Sequence, residues 1–406
     1  MGWDLTTLGV ITSAFPLAHA CSKFASGVAA DNTSPRNLVA LGLLITGVLN
    51  IAFGAGNTVG WFAAVWALNG VFQGFGAPPC SKLLTNWYAG SERGRWWGVW
   101  NTSHNIGGFL IALLAATAAR EFGWRAGMIV PGLIAIAMAG VVMLAVRDKP
   151  ASYGLPSAER VLGEETAVAG AGAADDDEAD GEELSGWAKI KEGLSNRNIW
   201  LLGMVYFCVY FVRQGVVNWG AFFLLDARGA ASATDAAFRI SGFEVGGLLA
   251  NLSAGWLADS LQRRDPNAPA AGRRAFVIML YLGVTAAALA ALALVPSGAA
   301  VMSHWLAFAF LGHAIYGPQL LVAVTGAEIL PKRSVASANG FLGWLSYMGA
   351  IFSGLPLTIA VRQHGWETYF SLLLAATAVA VVLCIPLLRV PSHRQVVAKQ
   401  RLQAAQ

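Results

Sequence analysis

The sequence predicts an all-α, polytopic membrane protein, and three observations support this fold class. Hydrophobic residues make up 56% of the 406 residues and charged residues only 12%, whereas about 25% of the residues of a soluble domain are usually charged. Apolar stretches long enough to cross a bilayer as helices recur along the chain. Two halves of the chain also share loop motifs, which indicates an internal repeat.

The apolar stretches between polar segments predict about eleven transmembrane helices. They lie near residues 7–30, 38–55, 60–80, 98–118, 127–146, 199–225, 238–258, 275–295, 303–327, 336–361 and 368–388. Basic residues concentrate in alternate loops, and such loops are usually cytoplasmic. We therefore expect the C-terminus in the cytoplasm. A bacterial inner membrane and, for a eukaryotic chain, a plastid or endoplasmic reticulum membrane fit equally well.

A polar stretch at residues 150–198 divides the chain. It contains the run AVAGAGAADDDEADGEE (Ala167 to Glu183), whose small and acidic residues do not suit a packed core. We therefore expect an N-terminal membrane half of five spans at 1–149, an acidic cytoplasmic linker at 150–198, a C-terminal half of six spans at 199–390 and a cytoplasmic tail at 391–406. Trp187 to Arg197 is expected to form a short amphipathic surface helix.

Each half carries the same two landmarks. GVAAD (Gly27 to Asp31) and GWLAD (Gly255 to Asp259) each end a span with G-x-x-x-D, at an offset of 228 residues. GWR at Gly123 and GWE at Gly365 each begin the last span of a half, at an offset of 242 residues. Applied to the span at 199–225, the first offset places its counterpart before Met1. The usual first helix of a six-span repeat is therefore expected to be missing.

Arg213 lies inside the span at 199–225 and is the first indication of function. A guanidinium near the bilayer centre is costly and almost always faces a cavity, a counter-ion or an anionic ligand. Lys23, the other strong cation inside a span, comes from the opposite half. Together they suit a phosphoryl group, because a guanidinium can bind two phosphate oxygens and an ammonium acts as a compact point charge. The remaining ionisable residues inside spans are His19, His104, Glu244, His313 and Glu328.

Several other classes of protein do not fit the sequence. The two common nucleotide-binding loops, G-x-x-x-x-G-K-[ST] and a strand-flanked G-x-G-x-x-G, do not occur. The four cysteines (Cys21, Cys80, Cys208 and Cys384) have neither paired nor metal-ligand spacing. We therefore expect no enzyme activity, no cofactor and no metal. The net charge of +4 is explained by basic cytoplasmic loops, so no nucleic-acid partner is inferred, and we expect a monomer.

Five segments carry a specific family resemblance. They are SKFASGVAADNTSPRN (Ser22 to Asn37), GVFQGFGAPPCSKLLTNWY (Gly70 to Tyr88), SERGRWWGVWNTSHNIGG (Ser91 to Gly108), YFVRQGVVNWG (Tyr210 to Gly220) and YGPQLL (Tyr316 to Leu321). In them the chain resembles the organophosphate:phosphate antiporters, which have the major facilitator fold, and the resemblance covers nearly the whole chain in order. The hexose-phosphate branch is the most similar.

The resemblance implies a carrier that exchanges a sugar or glycerol phosphate for inorganic phosphate at one central site. Arg213 matches the phosphate-binding arginine of the family's second half, and His19 stands where relatives often have a tyrosine. The first-span arginine that pairs with Arg213 in the family is expected to be missing together with that helix. The other substrate-binding residues implied are Lys23, Asn101, His104, Tyr210, Asn218, Tyr316 and Tyr347.

For several of these residues a structural role is the alternative. Arg213 could pair directly with Glu244, which we otherwise interpret as an internal counter-ion. Lys23 could extend to the membrane surface. His104, Tyr316 and Tyr347 could simply pack between helices.

Other residues are expected to act on conformation. Asp31 with Arg36, and Asp259 with Arg263 and Arg264, are expected to form cytoplasmic gate networks that cap helix ends. His313 and Glu328 are structural or gate candidates. Close helix packing or bending is expected at Pro78, Pro79, Gly107, Gly108, Gly246 and Gly247.

The sequence therefore predicts secondary antiport, with hexose phosphate such as glucose 6-phosphate favoured over glycerol 3-phosphate as the organic substrate. Inorganic phosphate is the expected counter-substrate. Two alternatives stay open: a membrane receptor that binds sugar phosphate and signals to a partner, and an inactive truncated transporter.

Overall fold

The computed structural model describes residues 5–162, 186–265 and 268–404. These residues form helices and connecting loops without any strand, which confirms the all-α class. The acidic run Ala167 to Glu183 lies outside the described residues. The helices before the linker are α1 (Leu5–Asn32), α2 (Pro35–Ala55), α3 (Val59–Gln73), α4 (Ala77–Trp87), α5 (Gly90–Phe122), α6 (Ala126–Ala145) and the short α7 (Ala158–Val161).

The remaining helices follow the acidic run. They are α8 (Gly186–Ser195), α9 (Arg197–Ala227), α10 (Ala233–Arg264), α11 (Ala270–Leu294), α12 (Val301–Ile329), α13 (Val335–Phe352), α14 (Leu355–His364), α15 (Trp366–Cys384) and α16 (His393–Ala404). Short 3-10 helices occupy Pro150–Tyr153, Lys332–Ser334 and Ile385–Arg389.

The chain divides into two compact units. The first unit comprises Met1–Ala89, Ile106–Ser195 and Leu330–Trp344, and the second comprises Gly90–Asn105, Asn196–Ile329 and Leu345–Gln406. Each unit thus combines most of one sequence half with a short segment of the other. The division of the sequence at the linker stays a prediction.

Seven helical stretches of the described residues are long and apolar enough to cross a bilayer. They are Pro35–Ala55, Ala126–Ala145, Arg197–Ala227, Ala270–Leu294, Val301–Ile329, Lys332–His364 and Trp366–Gln403. Each of the eleven predicted spans coincides with one helix or two consecutive helices, and the count of eleven stays a prediction.

Two predicted spans are not continuous helices. The span near 60–80 is divided between α3 and α4, where Gly74 and Gly76 precede two prolines in the first turn of α4. Proline lacks an N–H group and fits the first turn of a helix better than its interior. The span near 336–361 is divided at Gly354, and there the Trp219 indole donates to the Ser353 carbonyl at 2.9 Å. Pro78 and Pro79 therefore lie in the first turn of α4 and not inside a helix, and bending at these residues stays a prediction.

Close helix packing in the first unit depends on small residues. A Cβ atom placed on Gly47 of α2 would lie 2.6 Å from the Gly132 carbonyl oxygen of α6, and one on Gly132 would lie 2.7 Å from the Gly47 carbonyl oxygen. The two backbones therefore cross at these glycines, as is common between membrane helices. The Ser26 hydroxyl of α1 donates to the Gly74 carbonyl at 2.7 Å, which ties α1 to the end of α3.

In the second unit, α10 and α12 approach closely. A side chain at Gly242 or Gly246 of α10 would overlap the carbonyl groups of Trp305 and Ala309 of α12. The expected close packing is therefore confirmed at Gly246. At Gly107 and Gly108 no described atom lies within 4 Å of the position that a Cβ atom would take, so close packing is not seen there, and bending at these two residues stays a prediction.

The repeat predicted from the sequence recurs in the backbone. Gly123 and Gly365, the glycines of the two GW landmarks, have φ angles of +85° and +81°. This left-handed region is readily accessible only to glycine. Both halves therefore make the same kind of turn before their last long helix.

Candidate anion-binding site

Arg213 lies near the middle of α9 in the second unit, and its guanidinium is only partly satisfied. Its Nη2 donates to the Tyr316 hydroxyl and its Nη1 to Oε1 of Gln214, each at 3.0 Å. Its buried Nε has no hydrogen-bond partner among the residues that the structure describes. The ion pairs of the described residues do not include Arg213. A guanidinium held in this way has capacity left for an anion.

Two aromatic rings surround this guanidinium. Its central carbon lies 4.8 Å from the ring centre of Tyr316 and 5.7 Å from that of Tyr210. The Tyr347 ring lies 5.9 Å from the Tyr210 ring. Cation–π contacts of this kind hold a guanidinium in place without neutralising its charge.

Tyr316 connects Arg213 to Glu244. The Tyr316 hydroxyl accepts from Arg213 and lies 2.8 Å from both carboxylate oxygens of Glu244, and a hydroxyl can both donate and accept. The connection between the two charged residues therefore runs through Tyr316 and is not a direct ion pair. Tyr316 is 1% exposed, whereas Glu244 is exposed at the edge of the cluster.

A chain of three amides reaches the other side of Glu244. Asn105 Nδ2 donates to Glu244 Oε2 at 2.8 Å, Asn251 Nδ2 donates to Asn105 Oδ1 at 3.0 Å, and Asn101 Nδ2 donates to Asn251 Oδ1 at 2.7 Å. Asn101 and Asn105 are four residues apart and so lie on one face of α5. The Glu244 carboxylate is thus hydrogen-bonded to Tyr316 on one side and, on the other, to a chain of amide side chains that ends at Asn101.

Glycine makes room for this cluster. A Cβ atom on Gly247 would lie 2.7 Å from Cδ2 of the Tyr316 ring, closer than side-chain packing tolerates. A side chain on Gly98 would overlap the carbonyl oxygen of Asn251. The prediction that Gly247 allows close approach is therefore confirmed, and the group it admits is the ring of Tyr316.

The structure also places three further predicted residues of the second unit. His104 is exposed on α5, next to Asn105. Asn218 is exposed on α9, beyond the turn that carries Arg213. His313 packs on the ring of Tyr281, with 5.6 Å between ring centres.

The predicted residues of the first unit take part in helix packing. His19 Nδ1 lies 3.2 Å from the Gly70 carbonyl oxygen, and the His19 ring stacks on Phe15 at 5.5 Å. Lys23 is partly buried beside α13, where its Nζ lies 3.8 Å from the position a Cβ atom would take on Gly343.

Asp31 caps the N-terminus of α13. Its carboxylate accepts the backbone N–H groups of Ala336 at 3.1 Å and Ser337 at 2.6 Å. Lys82 pairs with the same carboxylate at 3.2 Å. A carboxylate in this position satisfies free N–H groups and complements the helix dipole.

Asp259 likewise accepts two backbone N–H groups, here from the second turn of α5. Its carboxylate accepts the backbone N–H groups of Gly94 at 3.2 Å and Arg95 at 2.6 Å. Arg274 pairs with Asp259 at 3.0 Å and with Glu328 at 2.8 Å. The residues that donate these N–H groups in the two units differ by 242 positions, which is the offset of the GW landmarks.

The cations of these two clusters are not the predicted ones. Arg36, at the start of α2, directs its backbone N–H to Asp148 at 2.9 Å and its Nε to Asn37. Arg263 donates to the Ser91 carbonyl and the Ser260 hydroxyl, and Arg264 is exposed. The two carboxylates turn instead toward the helices whose N–H groups they accept, so Lys82 and Arg274 take the positions expected for these arginines.

Residues 1–354 match the sequence profile of the Major Facilitator Superfamily. The chain belongs to the Major Facilitator Superfamily. As a member of this superfamily it is an integral membrane protein, and the superfamily consists of transporters and not of enzymes.

Sequence identity to named relatives identifies the family to which the chain belongs within the superfamily. The chain is 38% identical over 95% of its length to the probable hexose phosphate transport protein of Chlamydia trachomatis, of which it covers 83%. It is 33% identical over 96% of its length to the membrane sensor protein UhpC of Escherichia coli, of which it covers 85%. It is 29% identical over 94% of its length to the glycerol-3-phosphate transporter of Bacillus subtilis, of which it covers 84%. These relatives place it in the organophosphate:phosphate antiporter family.

A solved structure supports the major facilitator fold. The Major Facilitator Superfamily transporter FucP, in its outward conformation, matches 95% of this chain and 90% of its own chain with a TM-score of 0.69. The two sequences are 13% identical, so this similarity concerns the fold alone.

Proposed function

We propose that this protein exchanges a phosphorylated sugar for inorganic phosphate by alternating access, with hexose phosphate favoured and glycerol 3-phosphate as the second choice. The observation that carries the proposal is the guanidinium of Arg213, which lies inside an apolar helix and whose buried Nε has no hydrogen-bond partner in the described part of the chain. The printed names of relatives, which include hexose phosphate, glycerol-3-phosphate and phosphoglycerate transporters, support a phosphate monoester as the substrate.

The chemistry of Arg213 suits both proposed substrates. A planar guanidinium can donate two parallel hydrogen bonds to the oxygens of one phosphoryl group. Inorganic phosphate and a sugar phosphate share that group, so a single site can serve both in turn. The tyrosine hydroxyls and the amides beside the guanidinium offer partners for the hydroxyl groups of a sugar.

Glu244 is the proposed counter-ion of the empty site. Without substrate, Tyr316 shares its hydroxyl between Arg213 and Glu244. A bound phosphoryl group brings its own negative charge to Arg213 and thereby weakens the influence of Glu244 on it. If each bound substrate favours reorientation of the protein across the membrane in this way, exchange of the two substrates is faster than net release of either one.

The test is an exchange assay in proteoliposomes loaded with phosphate. External labelled glucose 6-phosphate is expected to enter saturably, to require internal phosphate, and to drive phosphate out. Liposomes loaded with sulfate provide the matched control. Loss of preloaded phosphate at the same rate with and without external sugar phosphate would contradict the proposal.

A sensor is the second candidate, because relatives named membrane sensor protein UhpC are 35% and 33% identical to this chain. The anion-binding cluster would be the same in a sensor. Saturable glucose 6-phosphate binding by folded protein, without flux in the exchange assay, would favour this candidate over the antiporter.

Replacing Gly247 by alanine is expected to weaken glucose 6-phosphate binding about tenfold. The added methyl group would displace the Tyr316 ring and its hydrogen bond to Arg213, and a hydrogen bond to a charged group contributes about 1.5–3 kcal/mol. Calorimetric titration of the purified protein measures this change. Gly283→Ala on α11 is the matched control, since no described atom lies within 4 Å of its added Cβ atom. Equal affinity of both variants would exclude this role for Gly247.

A further inference from the structure

Gln319 is a buried polar residue of α12 that takes no part in the contacts described above. Only 6% of the residue is exposed, and its Oε1 atom is buried without a hydrogen-bond partner among the described residues. Buried polar groups are usually paired, because an unpaired one destabilises the protein. The three residues that follow, Leu320, Leu321 and Val322, are apolar and buried. Packing of the helix therefore does not account for an amide at this position.

Helix geometry directs Gln319 toward α9 and α10. An α-helix has 3.6 residues per turn, so residues at spacings of three, four, seven, eight and eleven form one stripe along it. One such stripe of α12 consists of Phe308, Gly312, Tyr316 and Gln319. A Cβ atom on Gly220 of α9 would lie 3.2 Å from Cε1 of Phe308, and a side chain on Gly312 would overlap the carbonyl group of Phe243 of α10. The stripe therefore faces the sector between α9 and α10, which contains the anion-binding cluster.

Another side of α12 faces α11. A side chain on Gly317 would overlap the ring of Tyr281 of α11, and the His313 ring packs on the same tyrosine. Two residues along a helix correspond to a rotation of about 200°. Gln319 therefore points away from α11.

The neighbour of Gln319 in the stripe is Tyr316, three residues earlier. Residues at this spacing are adjacent on a helix surface, with about 5–6 Å between their Cβ atoms. The Tyr316 hydroxyl accepts a hydrogen bond from Arg213 at 3.0 Å. A phosphoryl group on Arg213 therefore brings the group attached to it within reach of the next turn of α12, where Gln319 lies.

We propose that Gln319 binds a hydroxyl group of the organic substrate and is a specificity-determining residue of this site. The inference rests on the proposed function, since it concerns the same site. A carboxamide accepts hydrogen bonds at its oxygen and donates them at its nitrogen, as a hydroxyl group also does with its single oxygen. Inorganic phosphate lacks the hydroxyl groups of the sugar. Gln319 therefore contributes to the affinity for the sugar phosphate and not to the affinity for inorganic phosphate.

This role explains why an amide is present without a partner in the empty site. A site that hydrogen-bonds a hydroxyl group of its substrate leaves its own polar group unpaired when the ligand lacks that hydroxyl, and this gives strong discrimination. The Oε1 atom of Gln319 is unpaired in the described part of the chain, and the hydroxyl group of a bound sugar phosphate supplies its missing donor. Inorganic phosphate leaves the atom unpaired.

The test is Gln319→Met, which keeps an unbranched side chain of similar length and removes the amide. Calorimetric titration of the purified protein measures the affinities for glucose 6-phosphate and for inorganic phosphate. Glucose 6-phosphate is expected to bind about tenfold more weakly, whereas inorganic phosphate binds with unchanged affinity. The midpoint of thermal unfolding without ligand is expected to equal or exceed that of the wild type, because an unpaired buried amide has been removed.

Thr325→Val is the matched control, since it also removes a buried polar group of α12. The Thr325 hydroxyl donates to the Leu321 carbonyl of its own helix at 2.6 Å, and the residue lies on the side of the helix opposite Tyr316. Both affinities of this variant should match those of the wild type.

The outcomes separate this inference from the proposed function. Unchanged glucose 6-phosphate affinity in Gln319→Met, or an equal loss for both ligands together with a lower unfolding midpoint, would overturn the role of Gln319 and leave the proposed function intact. If the wild-type protein bound neither ligand, the proposed function would fail and this inference with it.

Discussion

Arg213→Ala protein is expected to show no phosphate exchange driven by glucose 6-phosphate. The substitution removes charged hydrogen bonds to the phosphoryl group, which contribute about 1.5–3 kcal/mol, or roughly 10- to 150-fold in affinity. It also leaves Glu244, still held by Tyr316 and Asn105, as an anion without its neighbouring cation. The remaining negative charge repels the substrate, so the loss should exceed the hydrogen-bond contribution alone.

Two further variants separate these causes. Arg213→Lys keeps the charge but not the planar fork, and is expected to bind with intermediate affinity. Arg213→Ala with Glu244→Gln removes the repulsion and is expected to regain part of the binding. Arg362→Ala, an exposed arginine of the same unit, is the control. Exchange at the wild-type rate by Arg213→Ala protein would place the substrate site elsewhere.

The sequence was sufficient to predict the helices, because a bilayer requires long apolar stretches whose length alone is informative. It was not sufficient to place the two interruptions. Gly74 and Gly354 lie inside predicted spans that satisfy the length criterion, and the interruption at Gly354 is supported by the Trp219 indole from another helix. A contact with a distant residue leaves no local pattern in the sequence.

For the candidate site, Arg213, Glu244, Asn101 and the tyrosines were among the predicted residues, whereas Asn105 and Asn251 were missed. Arg213 and Glu244 stand out because ionisable residues are rare inside apolar spans. Asn105 and Asn251 also lie inside predicted spans, and a search for amides there would have found them as candidates. Their pairing across 146 positions could not be predicted from one sequence, since it depends on how α5 and α10 pack.

The clusters around Asp31 and Asp259 show a different limit. Arg36, Arg263 and Arg264 were expected in the same networks as these aspartates, but the ion pairs of the described residues join Asp31 to Lys82 and Asp259 to Arg274. Each aspartate points toward the helix whose N–H groups it accepts, and the cation that follows it in the sequence points elsewhere. The spacing of charges along one helix therefore does not determine their partners between helices.

Arg274→Met is expected to cause the largest loss of stability among single substitutions in the second unit. The Arg274 side chain is 3% exposed, and it pairs with Asp259 at 0% and Glu328 at 5% exposure. Removing one partner of a buried ionic group costs about 3–5 kcal/mol, because the remaining charges stay buried without compensation. The apparent midpoint of thermal unfolding in detergent, followed by tryptophan fluorescence, measures the effect.

The neighbouring residue provides a matched control. Arg273 lies on the same helix and pairs with Asp265 at 2.6 Å, but the side chains of that pair are 25% and 53% exposed. An exposed pair contributes about 0–1 kcal/mol, so Arg273→Met should leave the midpoint close to that of the wild type. Adding Asp259→Asn and Glu328→Gln to Arg274→Met removes the uncompensated charges and should recover part of the loss. If Arg273→Met and Arg274→Met shifted the midpoint of thermal unfolding equally, burial of the Arg274 ion pairs would not explain their contribution to the stability of the protein.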